Sequence, residues 1–303
     1  MLHRRYYLYP VMRVLFIFFL AVLATSCEKE VDIEPNSSPE VLVVDGSIEN
    51  GSPAVVYLTR SFSYFSNLSA AAVGNSFVKD ATVSLSDGTR TSVLRPYEIS
   101  SGATTLVVYT ADTSNPAAIM LGRFGAGYSL SISWQGKTYQ STTTIPNAAR
   151  RIDSLWWLPS PGNADTSLVM LMARANDPKG LGNYIRYFTS RNDSAFLPGL
   201  NSVFDDNIVD GTTYQVQIFR GEDRNGEINN DTFGYFRRGD SVVVKIANID
   251  KAAYDFWRTW EQAQSNVGNP FGTPVRVLGN ISNGALGVFC GYGNQVSRLF
   301  IPK

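Results

Sequence analysis

The sequence predicts a mainly β protein built of two β-sandwich domains, the first of immunoglobulin or transthyretin type and the second a β domain with one amphipathic helix. Three observations lead there. Over residues 41–146, short segments alternate apolar and polar side chains between turn residues. The chain is rich in Gly, Ser, Thr, Asn and aromatic residues and poor in the helix formers Glu and Lys. Its 303 residues match two domains at roughly 100 to 200 residues each.

Taken in order, the first element is not part of the fold. His3-Arg4-Arg5 and Arg13 precede an unbroken apolar run over 14–24, followed by Thr25-Ser26-Cys27. A basic start, a short apolar stretch and a small-residue cleavage site define a secretory signal over 1–26. The run falls short of the about 20 apolar residues that span a bilayer. Leu23-Ala24-Thr25-Ser26-Cys27 resembles a bacterial lipobox, with Ala24 in the place where that pattern prefers Leu. The resemblance implies that Cys27 is the first mature residue, carrying diacylglyceryl on sulfur and an acyl group, such as palmitate, on its amine. Several acyl chains give stable anchoring where one does not. Residues 27–39 then read as a polar tether, beginning Glu28-Lys29-Glu30-Val31-Asp32. This resembles the acidic tether that sends Bacteroidota lipoproteins to the cell surface at the outer membrane.

The first domain is expected over 40–147. Apolar runs at 41–44 and 55–58 flank Asn50-Gly51, a strong hairpin signal. A second hairpin turns at Asp87-Gly88, and a third at Gln135-Gly136-Lys137. In the strand before that third turn Tyr128, Leu130, Ile132 and Trp134 share one face. Strands with one apolar face must pack on a second sheet, hence a sandwich. The second domain is expected over 151–303, with strands at 152–158, 168–175, 183–189, 213–220, 241–249 and 296–301. Between them Ala253, Phe256, Trp257, Trp260 and Ala263 recur at helical spacing behind Asp250, predicting a capped helix at about 250–264 whose aromatic stripe faces the core.

Charge and residue counts exclude several functions. Equal numbers of basic and acidic side chains, 26 each, and 17% charged residues argue against nucleic-acid binding. Processing removes Arg4, Arg5, Arg13 and His3, so of the 26 basic side chains 23 remain against 26 acidic ones, and no histidine remains. A Ser-His-Asp triad and histidine-ligated metals are thereby excluded from the mature chain. With Cys27 acylated, Cys290 is the one thiol left; it reads as a small buried hydrophobe without an activating histidine. No catalytic residue and no cofactor are expected.

Val44-Asp45-Gly46-Ser47-Ile48-Glu49-Asn50-Gly51, Leu58-Thr59-Arg60-Ser61 with Tyr64-Phe65, the stretch 240–260, and Asn269-Pro270-Phe271-Gly272 through Asn280-Ile281 to Gly287-Val288-Phe289 resemble domain-of-unknown-function family 4249. The resemblance covers essentially the whole mature chain. It implies a Bacteroidota outer-membrane lipoprotein that accompanies a TonB-dependent receptor, with no catalytic residue to carry over.

Five sequence features are candidate sites. Asp223, Asn225, Glu227, Asn229 and Asp231 surround Gly226 with oxygen ligands of the kind calcium takes, without EF-hand spacing, and a polar hairpin loop explains the same residues. Asp205-Asp206-Asn207 with Asp210 is a second oxygen-rich stretch that serves equally as an exposed turn. Phe62, Tyr64 and Phe65 open a long connection over 62–75 and either dock a sugar or protein partner or tuck into a domain interface. Arg238-Gly239-Asp240 matches an adhesion tripeptide but reads as turn chemistry, and Asp153-Ser154-Leu155, Asp193-Ser194-Ala195 and Asp240-Ser241-Val242 match a short O-glycosylation pattern. The expectation is a lipid-anchored, non-enzymatic accessory or binding partner of a TonB-dependent receptor in nutrient uptake. The alternatives are a structural or adhesion component of the envelope, and a glycan hydrolase working through paired carboxylates.

Overall fold

In the computed structural model, which describes residues 40–62, 69–102, 104–162 and 164–303, the alternation becomes fifteen strands among the described residues. The first hairpin is β1 (Leu42–Glu49) and β2 (Val55–Arg60), turning through Gly51 at a φ of 77°. The second is β3 (Thr82–Ser86) and β4 (Thr91–Ser101); Asp87 Oδ1 closes its turn by accepting the Thr89 and Arg90 N–H groups. β5 (Thr104–Ala111) runs back along β4. The third hairpin, β6 (Gly127–Trp134) and β7 (Lys137–Thr144), turns on Gln135 and Gly136, both at positive φ, which suits the twist of the flanking strands. Tyr128, Leu130, Ile132 and Trp134 of β6 are all buried, as the alternation requires.

The second half contributes β8 (Arg151–Pro159), β9 (Leu168–Asn176), β10 (Tyr184–Arg191), β11 (Leu197–Phe204), β12 (Thr213–Ile218), β13 (Phe236–Arg237), β14 (Ser241–Ile249) and β15 (Leu286–Phe300). Two α-helices are described. α1 (Ala70–Ser76) occupies the end of the connection expected to lack regular structure; three alanines favour it and Ser69 caps it by accepting the Ala72 N–H. α2 (Lys251–Ser265) is the expected helix, capped by Asp250. No described helix is long and apolar enough to cross a membrane, which says nothing of spanning by strands.

One sheet of eleven strands runs in the order β11-β10-β14-β15-β1-β2-β5-β4-β3-β6-β7. The boundary expected at 147–151 falls between β7 and β8, yet this sheet contains strands from both sides of it: β15 lies between β14 and β1, parallel to β1. The close approach depends on glycine. A Cβ on Gly287, whose φ is 100°, would sit 1.9 Å from the Val44 carbonyl oxygen. β7 in turn meets β15, where the Gly291 N–H donates to Thr143 Oγ1. The core of the first half accordingly includes Phe289 from the far end of the chain, alongside Ile48, Val56, Leu85 and Leu130.

β8, β9, β12 and β13 form a second, four-stranded sheet. It packs on β10 and β14 through Val169, Leu171, Phe236, Val242 and Val244. On the opposite face of β14 and β15, Ala253 and Phe256 of α2 pack on Ala247, Ile249, Val288 and Cys290, so the helix covers the large sheet rather than bridging to the small one. Its aromatic stripe is a core face: Trp257 Nε1 donates to Tyr292, and the Arg186 guanidinium stacks 3.4 Å from the Trp257 ring centroid.

Candidate functional site: an apolar cleft between the two sheets

The two sheets are filled at one end and separate at the other, and β9 shows why. Its inward-facing residues are Val169, Leu171, Ala173 and Ala175, all buried. Side-chain size falls along the strand, from residues that fill the space between sheets to residues that do not. On the adjoining β12, Tyr214 pairs with Ala175, Val216 with Ala173 and Ile218 with Leu171. Beyond the alanines a cleft of about 640 Å³ opens between β9 and β12 on one side and β10, β11 and β14 on the other. That is the size of a small-molecule site, for which roughly 300–1,000 Å³ is usual.

The lining is mainly apolar, with Ile185, Val203 and Ile246 from the large sheet and Ile152, Val216 and Ile218 from the small one. Its mouth leaves apolar side chains in water: Phe204 is 45% exposed, Phe219 42% and Ile208 94%. Polar groups are few. Burial, with the nearby Glu261 carboxylate, pushes the Tyr187 phenol well above its ordinary pKa. Burial and the bond that Tyr254 donates to Asp205 push Tyr254 up to about 12. Both phenols are therefore neutral donors at physiological pH.

At the open end of the cleft lies a buried ion pair. Arg150 and Asp177, with side chains 1% and 0% exposed, meet at 2.6 Å through Nε and Oδ1. Arg150 also donates through Nη2 to the Asp205 carbonyl, and its backbone is held by Asn248 of β14 and Gln295 of β15. Beside the pair, Asp206 accepts the Gly182 and Asn183 N–H groups and Asp210 accepts the Gly180 N–H. Burial acts to raise the Asp206 pKa, but these amide donors outweigh it and hold the carboxyl below the usual range.

Of the sites expected from sequence, Cys27, the tether, Tyr64 and Phe65 lie outside the described residues. Phe62 is 42% exposed just past the end of β2. Asp223, Asn225, Glu227, Asn229 and Asp231 are all exposed in the loop between β12 and β13. Asp223 Oδ1 accepts the Asn225 N–H and Asn229 Oδ1 the Asp231 N–H, which is loop-closing chemistry. The group of three acidic side chains brought together among the described residues is instead Asp177, Asp206 and Asp210, two of them from the second oxygen-rich stretch. Asp240 of the Arg-Gly-Asp tripeptide is buried and accepts from the Arg237 N–H and Asn192. Cys290 is fully buried, and burial pushes its thiol up to about 12. Sequence reasoning missed Arg150, Asp177 and the cleft itself; the signal for the cleft was the falling side-chain size along β9.

A protein-family profile described as "Domain of unknown function (DUF4249)" matches residues 28–298. Among curated proteins, none matches.

Proposed function

Since the chain belongs to the DUF4249 family, we propose that it is a binding protein rather than an enzyme, and that its cleft takes a small, largely apolar ligand. In this reading the protein is anchored at the outer membrane through Cys27 and presents the ligand to a TonB-dependent receptor during nutrient uptake. The observation that carries the reading is the open, apolar space beyond Ala173 and Ala175. Apolar side chains lining an open cleft make fewer contacts than those of a well-packed core, and an apolar ligand supplies them. The signal, lipobox and tether support the placement at the membrane.

The test uses the full chain extracted from its own membrane in mild detergent. Native mass spectrometry is expected to find a small apolar molecule on the wild type and a receptor that co-purifies with it. Ala173→Leu places a larger side chain at the cleft beside its strand neighbour Val216 and is expected to carry no ligand while remaining folded, as far-UV circular dichroism and a cooperative melt check. Equal binding of an apolar fluorescent probe by the wild type and Ala173→Leu refutes the cleft as the site. Absence of a co-purifying receptor refutes the transport role.

A further inference from the structure

We propose that Asp177, Asp206 and Asp210 form a calcium-binding site at the edge of the cleft. Asp206 and Asp210 share one turn while Asp177 comes just after the end of β9, and the fold brings one carboxylate oxygen of each within 4.8 Å of the others. Calcium binds oxygens at about 2.3–2.6 Å, so a single ion between two ligands reaches oxygens up to roughly 5 Å apart. The spacing therefore suits one ion held by all three.

The second observation is an oxygen without a partner. Asp177 is fully buried, its Oδ1 is taken by Arg150, and its Oδ2 has no hydrogen bond among the described residues. A buried carboxylate oxygen left bare is costly, and such an atom commonly marks the place of an ion or water. Charge points the same way. Asp206 is buried and Asp210 half-buried, and among the described residues Arg150 is the one basic side chain that forms an ion pair with any of the three. Three carboxylates against one guanidinium leave two negative charges, which a divalent cation neutralises.

The surrounding loops suit calcium better than magnesium. Each carboxylate keeps lone pairs beyond those used by the amides of Gly180, Gly182 and Asn183. Irregular loop segments tolerate the variable coordination of calcium, whereas magnesium demands a near-ideal octahedron. Ile208 and Val209, which line the cleft, lie in the turn between Asp206 and Asp210. An ion here fixes that wall of the cleft.

The test is thermal melting of the full chain in detergent, in EDTA and then with about 1 mM CaCl2 or MgCl2, paired with calorimetric titration of CaCl2. Calcium is expected to raise the wild-type melting temperature by at least about 3 °C and magnesium by much less. Asp210→Asn keeps an acceptor for the Gly180 N–H and lowers the charge. It is expected to melt at or above the wild type in EDTA, to bind calcium at least tenfold more weakly, and to fall below the wild type once calcium is present. That reversal is what a purely loop-closing role does not produce. No calcium binding by the wild type, an equal response to magnesium, or the same stability change in Asp210→Asn with and without calcium overturns the proposal.

Discussion

Replacing Arg150 by Met tests whether an ion pair holds the open end of the cleft. Among the described residues the guanidinium makes two side-chain bonds, to Asp177 Oδ1 at 2.6 Å and to the Asp205 carbonyl at 3.1 Å, and almost none of it reaches water. Arg150→Met removes both and leaves the Asp177 carboxylate with neither oxygen paired, beside Asp206 and Asp210. Breaking a buried pair from one side costs about 3–5 kcal/mol. Against a total stability of roughly 5–15 kcal/mol, that is a large fraction. The backbone bonds of residue 150 to Asn248 and Gln295 survive the change, so the loss belongs to the side chain. Urea unfolding followed by tryptophan fluorescence measures it. Adding Asp177→Asn removes the stranded charge, so the double variant is expected to lose less than the two single variants together, by about 2 kcal/mol. A single-variant cost below about 1 kcal/mol, or additivity of the two changes, refutes the assignment.

Three further outcomes follow from the geometry. Asp250→Ala is expected to cost about 2–3 kcal/mol in urea unfolding, more than the about 1 kcal/mol of an ordinary cap, because Asp250 also accepts Thr143 Oγ1 and the Thr144 N–H of β7. Gly287→Ala is expected to lower the melting temperature sharply, since its positive φ alone is worth about 1–3 kcal/mol of strain and its Cβ overlaps the Val44 oxygen; a melting temperature within a degree of wild type contradicts the β1–β15 pairing. Cys290, with its thiol pushed up to about 12, is expected to resist alkylation at pH 8 until the chain unfolds. Because the unfolded thiol ionises near about 8.5, the buried thiol's contribution is complete below that pH and declines as pH rises towards 12; Cys290→Ala is expected to flatten the alkaline loss of stability.

What could be read in the sequence was local. The third hairpin announces itself through alternation and turn residues within eighteen positions, Gly127 to Thr144, because each strand's partner is its neighbour. The sequence pattern predicts β15 only from 296 onward, whereas the strand begins at Leu286. Its first half carries glycines at 287, 291 and 293, which a propensity reading counts against a strand. They are there because Val44, Thr144 and Pro146 carbonyl oxygens approach within 1.9–2.6 Å of where a Cβ would stand. Asp250 was half legible: its cap on Ala253 follows from position, but its bonds to β7 span more than a hundred residues. The carboxylates followed the same rule. Asp206 and Asp210 stand out as neighbours in an oxygen-rich turn, while Asp177 is a single residue before a proline until the fold sets it beside them.

The cleft has its width fixed at both ends, which bears on what it can bind. At the closed end Val169, Leu171 and Phe236 wedge the small sheet against Val242 and Val244 of the large one. At the open end Arg150 performs the same task by polar means. Its backbone is bonded to β14 and β15, and its side chain to the residues that follow β9 and β11, so one residue ties strand ends of both sheets together. Apolar filling there would close the space, whereas an ion pair ties the sheets together and leaves the cleft beside Ala173 and Ala175 open. In the proposed binding role, a cavity held open in this way is formed before a ligand arrives, and association avoids the cost of ordering the walls. The ligand is then selected by fit to a fixed width, and a side chain added at Ala173 competes with it directly for the same volume.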